Sequence, residues 1–120
     1  MDMSEEMIKD TLPDGRIVLC GSNAYEKKFF LNPAFSALPD SVKEELRILC
    51  VLFTEEAGGV FMIVYEEDGS VSLATEAAEE DILYDDITAG LLISEVRRHR
   101  QELFEQLQLF YRVFVLKEEL

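Results

Sequence analysis

The sequence predicts a single α+β domain: an antiparallel sheet of three to five strands with helices packed on one face. Its 120 residues match the usual size of one domain. Apolar residues make up 48% of the chain, which is enough for a hydrophobic core. Short β-branched runs and stripes of helical period follow one another, with a short helix before the central β-meander and a long helix after it.

The N-terminal segment, residues 1–15, is predicted to be a flexible acidic tail that precedes one domain of residues 16–120. Charged residues fill the segment, and residues 12–15 form a turn sequence that contains proline and glycine. The start is acidic and polar, unlike a secretory signal. No apolar run approaches the ~20 residues that a membrane span needs.

The first strand is predicted at residues 16–20, a β-branched run that Gly21 closes. Residues 24–31 have two interpretations. They fit a strand that returns antiparallel to the first strand, and they equally fit a short capped helix. In either case Asn32-Pro33 ends the element, because a residue before proline avoids the helical conformation.

The first helix is predicted to begin near Pro39, because proline favours the first turn of a helix and acidic residues follow it. Its length has two interpretations. Apolar residues recur at helical spacing over residues 42–57, and Gly58 suits a C-terminal cap. Residues 48–54 are nevertheless apolar on all sides, which is typical of a strand buried on both faces. We favour a short helix followed by a strand.

A β-hairpin is the clearest local pattern in the chain. Residues 60–65 are apolar and β-branched, and residues 71–75 alternate between apolar and polar. Glu67-Asp68-Gly69 lies between them and is a strong hairpin signal.

The C-terminal part, from Glu79 to about Tyr111, has the apolar period of a helix. An unbroken helix of about 33 residues would be about 50 Å long, more than the width of a domain of this size, so we expect a break, a bend near Gly90 or an oligomer contact. The stretch is too apolar for one face of one helix. Either residues 112–116 form a strand and the surplus packs in the core, which we favour, or part of it meets a second subunit. The candidate interface residues are Leu103, Leu107, Phe110 and Phe114.

The charge of the chain is strongly negative, since 11 basic and 25 acidic residues give 11 − 25 = −14. Nucleic acid and anionic membranes are therefore not expected as partners. Cys20 and Cys50 form no C-x-x-C pair, and there is one histidine, so a zinc site is not expected. We expect a cytoplasmic protein with reduced thiols and no cofactor.

A block of carboxylates at residues 76–86 is the most conspicuous cluster. Carboxylates bind divalent metals, but the spacing matches no known metal-binding loop. Acidic residues are also favoured at helix N-termini, and we favour that explanation. The candidate metal ligands are Asp81, Asp85 and Asp86.

Two basic clusters are candidates for an anion contact. The first lies late in the long helix, where pairing within the helix, such as Arg98 with Glu102, is the favoured explanation. Its members are Arg97, Arg98 and Arg100. The second cluster, Tyr25, Lys27 and Lys28, would suit an anion or a protein partner. A strand would point Lys27 and Lys28 to opposite faces, so a solubilising sheet edge is favoured. His99 lies on the apolar stripe and is expected to be half-buried.

Cysteine, glycine and proline stand at fixed points in five short segments. These are Leu19-Cys20-Gly21, Tyr25-x-Lys27-Lys28-Phe29-Phe30-Leu31-Asn32-Pro33, Leu38-Pro39-x-x-Val42-Lys43-x-Glu45-Leu46, Gly58-Gly59 and Phe110-Tyr111-x-Val113-Phe114. Over residues 16–116 the chain resembles a family of small bacterial proteins of unknown function, found mainly in the Clostridia among the Firmicutes. The resemblance implies a bacterial cytosolic origin and supplies no catalytic residues.

No catalytic motif is recognised in the sequence. We therefore predict a non-catalytic cytoplasmic protein that self-associates as a homodimer and acts as a protein-interaction module. The alternative is a protein, either a binding protein or an enzyme, that binds a small molecule or a divalent metal through the carboxylates of residues 76–86.

Overall fold

The computed structural model describes residues 10–117 and confirms the α+β fold. The strands in that range are β1 (Ile17–Asn23), β2 (Lys28–Leu31), β3 (Val60–Tyr65) and β4 (Val71–Glu76). The α-helices there are α1 (Asp40–Ala57), α2 (Asp86–His99) and α3 (Gln101–Phe110). A 3₁₀ turn at Pro33–Phe35 follows β2, and a π-helical turn at Tyr111–Val115 follows α3.

The four strands form one antiparallel sheet in the order β2-β1-β3-β4. β3 lies at the centre, and all six of its residues are buried, which explains why it is apolar throughout. The predicted hairpin is confirmed: β3 and β4 pair from Val60 opposite Glu76 to Tyr65 opposite Val71. Gly69, with a φ of +87°, supplies the left-handed residue of the turn.

The main core lies between the sheet and the helices. Phe61, Ile63 and Tyr65 alternate along β3 and point to this side, where α1 buries an apolar stripe. The rings of Phe53 and Phe61 stack at 4.0 Å between centroids. The hydroxyl of Tyr65 donates to the carbonyl oxygen of Leu107 at 2.8 Å and so ties the sheet to α3.

The opposite face of the sheet is also buried. Val18, Val60, Met62 and Val64 form a second cluster, and Leu12, Phe30 and Ala74 pack against it. Residues 1–9 of the predicted flexible tail lie outside the described residues. Within its last part, Thr11 forms a β-bridge with Ile17, and the amide of Val18 donates to the carbonyl oxygen of Asp10 at 2.8 Å.

α1 differs from the favoured prediction, which placed a short helix and then a strand at residues 48–54. The structure has one helix over Asp40–Ala57. The strand interpretation was wrong because Ile48 and Leu52, on the outer face of the helix, remain exposed to solvent. The alternative cap at Gly58 is confirmed, since its amide donates to the carbonyl oxygen of Thr54 at 2.8 Å.

The C-terminal helical region is broken at a different place from the predicted one. Gly90 lies inside α2, and the break comes at Arg100, whose φ and ψ are −121° and 25°. Residues 79–85 are not helical, and residues 111–115 form a π-helical turn instead of the expected strand. The ambiguous residues 24–31 contain β2, so the strand interpretation is right there.

Candidate functional site

The acidic segment forms a loop and a helix cap. Asp85 is the N-cap of α2, where its Oδ1 accepts from the amides of Ile87 at 2.9 Å and Thr88 at 3.3 Å. A hydrogen bond from the Thr88 hydroxyl, together with the two amide bonds, holds the pKa of Asp85 below its ordinary value. Asp81 accepts from the hydroxyl of Tyr25 at 2.6 Å, which joins this loop to the segment between β1 and β2.

The structure places the three predicted metal ligands in the loop before α2 and in its first turn. Asp81 and Asp85 both accept hydrogen bonds from the protein, and Asp86 is exposed in the first turn of α2. Within residues 10–117, His, Cys, Asp and Glu side chains form no group of three or more that could hold a metal ion.

The arginines near the end of α2 have separate partners. Arg98 Nη2 lies 2.6 Å from Glu95 Oε1, in place of the expected pairing with Glu102. Arg100 Nη1 lies 3.4 Å from Glu45 Oε1 and joins the α2–α3 junction to α1. His99 Nε2 lies 3.4 Å from Glu95 Oε2, and the imidazole is exposed, contrary to the half-buried position expected for it.

The predicted interface residues separate into two groups. Leu103 and Leu107 are buried in the main core. Phe110 and Phe114 stack at 4.5 Å between ring centroids. They line a groove of about 540 Å³ between the start of α1 and the C-terminal turn. Phe114 is 53% exposed.

The most exposed apolar surface in residues 10–117 lies around the start of α2. Ile82 and Leu83, in the loop before the helix, are 91% and 89% exposed. Ile87 and Leu91, one turn apart on α2, are 76% and 64% exposed. We call these four residues the α2 ridge. Single exposed aliphatic residues are ordinary, but four in one short segment form an unusually apolar patch of surface.

Sequence reasoning missed the α2 ridge, although a signal was present. Ile87 and Leu91 lie four residues apart and therefore share a helix face. They fall outside the stripe of Leu92 and Val96, which packs against the core. The helix therefore carries a second apolar face, which is exposed to solvent.

The model of a family of unknown function, DUF6145, matches residues 16–119. The chain belongs to this family. The DUF6145 match confirms the expected membership of a family without an assigned function, while the bacterial origin stays a prediction. The matched range includes every surface described above, from the turn after β1 to the C-terminal groove.

No curated protein and no solved structure matches this DUF6145 chain. None of the helices in residues 10–117 has the length and apolar character that a membrane span requires.

Proposed function

We propose that this protein is a cytoplasmic protein-interaction module that forms a homodimer, in which the α2 ridges of two copies pack against each other. The exposure of Ile87 and Leu91 on one face of α2 carries the proposal. Burying a large aliphatic side chain contributes about 1.5–3 kcal/mol, so a contact that covers the ridges of both copies is strongly favoured.

The charges along α2 complement a second copy when the two helices run antiparallel. Asp85 and Asp86 lie at the start of the helix, and Arg97 and Arg98 lie near its end. A two-fold axis near Leu91 places the acidic start of each copy beside the arginines of the other, with Ile87 and Leu91 of both copies between them. A parallel pair would oppose like charges.

The face that carries the ridge allows close approach. A Cβ added at Gly90 would meet no atom within 4 Å, and Ser94 lies seven residues after Ile87 on the same face. The Arg98–Glu95 pair is exposed, and such pairs contribute little, so Arg98 can exchange partners. Arg97 has no ion-pair partner in the described part of the chain.

Two further observations support the proposal. The net charge of −14 repels nucleic acid and anionic bilayers, which favours a protein as the occupant of the ridge. Cys20 and Cys50 are free thiols with their Sγ atoms 3.8 Å apart, which suits a reducing compartment such as the cytoplasm.

Sedimentation equilibrium of wild type and Leu91→Glu tests the homodimer. We expect wild type at about twice 13.7 kDa and Leu91→Glu at 13.7 kDa, with an unchanged circular dichroism spectrum. The substitution places a charge in the centre of the apolar contact. Phe114→Glu is the matched control, because it places the same charge on the other exposed apolar surface; it should leave the dimer intact.

A charge reversal tests the antiparallel geometry. Asp86→Arg should weaken the dimer, and adding Arg98→Asp should restore it, because the reversed pair then meets across the two-fold axis. A wild-type chain that stays at 13.7 kDa at all concentrations rejects the proposal. It is equally rejected if Phe114→Glu dissociates the dimer and Leu91→Glu does not, or if the mass grows without limit, as in head-to-tail assembly.

A further inference from the structure

A cavity of about 690 Å³ lies between α1 and the turn that joins β1 to β2. Its volume falls within the range of small-molecule sites, roughly 300–1,000 Å³. Ser22 on β1 and Thr54 on α1 line its buried part, and their side-chain oxygens lie 2.7 Å apart. The cavity shares no residue with the α2 ridge or with the acidic segment of residues 76–86.

Positive charge is concentrated at this cavity. Lys27, Lys28 and Arg47 line it, against one acidic lining residue in the described chain, Glu55, which gives a net charge of 3 − 1 = +2. The whole chain has 11 basic residues and a net charge of −14. Because a cavity placed at random on such a chain would be acidic, this lining indicates an anionic ligand.

The backbone at Lys27 adopts a strained conformation that places this lysine beside the cavity. Its φ of +56° lies in the left-handed region, where glycine or asparagine is the ordinary choice. Within residues 10–117 its ammonium group has no ion-pair partner. The sequence argument placed Lys27 and Lys28 on opposite faces of a strand. That was wrong, because Lys27 lies in the turn and both residues line the cavity.

The other two cations are only partly neutralised. Lys28 Nζ lies 4.0 Å from the nearest oxygen of Glu26, at the limit of an ion pair. Arg47 binds Glu44 through Nε, at 3.2 Å, and through Nη2. A guanidinium group has five N–H donors, so three remain for a ligand.

The rest of the lining suits an organic group. Phe29 and Val51 are half-buried and present apolar surface. The hydroxyl of Thr54 also lies within 3.3 Å of the carbonyl oxygens of Cys50 and Val51, so the buried part is polar but uncharged. A ligand with an anionic head and an uncharged body complements these two regions.

We propose that this cavity binds a small phosphate monoester, with Lys27, Lys28 and Arg47 around the phosphoryl group and the organic part against Phe29 and Val51. A phosphate monoester carries a charge of about −1.5 to −2 at pH 7, so it attracts a cluster of three cations more strongly than a monocarboxylate does. Lysine and arginine are the ordinary ligands of phosphoryl oxygens in proteins.

Calorimetric titration of the full chain with phenyl phosphate tests the proposal. We expect one-to-one binding, and about tenfold weaker binding for Lys27→Gly and for Arg47→Gln, since each removes one charged contact. Lys27→Gly also relieves the positive-φ strain, so its melting temperature should not fall. Lys43→Gln is the control: Lys43 is an α1 lysine outside the cavity, and its loss should change the affinity less than about twofold.

Three results would overturn the proposal. They are the absence of binding heat with millimolar phenyl phosphate, an affinity loss in Lys43→Gln equal to that in Lys27→Gly, and binding of benzoate or inorganic phosphate as tight as that of phenyl phosphate. The Leu91→Glu chain keeps the whole cavity and should bind phenyl phosphate as wild type does. Failure of the dimer and failure of the ligand site are therefore distinguishable.

Discussion

Gly59 joins α1 to β3 at a point where the backbone leaves no room for a side chain. Its φ is +67°, and an added Cβ would lie 2.5 Å from the carbonyl oxygen of Glu76 and 2.9 Å from the ring of Tyr84. The sequence showed the Gly58-Gly59 pair as a boundary. It could not show the close approach, because β4 and the loop before α2 supply the neighbouring atoms.

Gly59→Ala should destabilise the fold by about 2–4 kcal/mol, because left-handed strain and a backbone clash add together. Gly90→Ala should instead stabilise α2 by about 1 kcal/mol, since Gly90 is helical and faces open space. Urea unfolding of both variants in the Leu91→Glu background measures these effects without the dimer. Equal or same-signed changes would contradict the packing described around Gly59.

Lys27 shows the same limit of sequence reasoning at a charged residue. Its place beside the cavity depends on a positive φ in the turn after β1 and on Arg47, which comes 20 positions later in the sequence. Neither property can be read from the residues next to Lys27. The sequence showed that Lys27 and Lys28 form a basic cluster, but their position beside the cavity depends on the backbone conformation of the turn.

Elements defined by local chemistry were predictable, and those defined by distant contacts were not. The β3–β4 hairpin was predicted because Glu67-Asp68-Gly69 carries the turn within three residues. The extent of α1 was missed because its exposed face is also apolar. The break after α2 contains no glycine or proline, and Arg100 is held there by Glu45 on α1.

The hydrogen bond from Tyr65 to Leu107 joins β3 to α3. Tyr65→Phe should lower the free energy of unfolding by about 1 kcal/mol, because the carbonyl oxygen of Leu107 loses a buried donor. The neighbouring helical amide of Tyr111 still donates to this oxygen, which limits the loss. Denaturant unfolding at neutral pH measures it, and an unchanged midpoint would contradict the role of this bond.

Tyr65 also makes the free energy of unfolding depend on pH in the alkaline range. Burial raises the pKa of Tyr65 far above its ordinary value of 10.0. Below pH 10 the hydroxyl of Tyr65 is neutral in the folded and in the unfolded chain. Above pH 10 the hydroxyl ionises only in the unfolded chain, and this ionisation stabilises the unfolded state. The difference between wild type and Tyr65→Phe should therefore shrink as the pH rises above 10.

At the scale of the whole molecule, repulsion among the negative charges opposes folding, and the burial of apolar side chains on both faces of the sheet favours it. The composition showed the charge, and the fold class followed from the order of the apolar periodicities along the chain, each of which spans many residues. The two proposed surfaces do not follow from averages. The cavity is positive and the α2 ridge is apolar, each against the mean character of the chain.

Raising the ionic strength from low to physiological values should raise the melting temperature at neutral pH, because salt screens the repulsion among the 25 acidic residues. Near the isoelectric point, about pH 4.3, the net repulsion vanishes and the salt effect should vanish with it. Thermal unfolding of the monomeric Leu91→Glu chain separates this effect from assembly. A melting temperature that falls with added salt at neutral pH would show that attractive pairs dominate instead.

The two thiols give the molecule an intrinsic probe of its own opening. Cys20 on β1 and Cys50 on α1 are fully buried, which shields both thiols from solvent in the folded chain, and burial also raises the pKa of the Cys20 thiol. A water-soluble thiol reagent reaches them only when α1 leaves the sheet. The rate of labelling therefore reports how often α1 separates from the sheet. A phosphate monoester or a second copy of the chain that stabilises the closed state must lower this labelling rate.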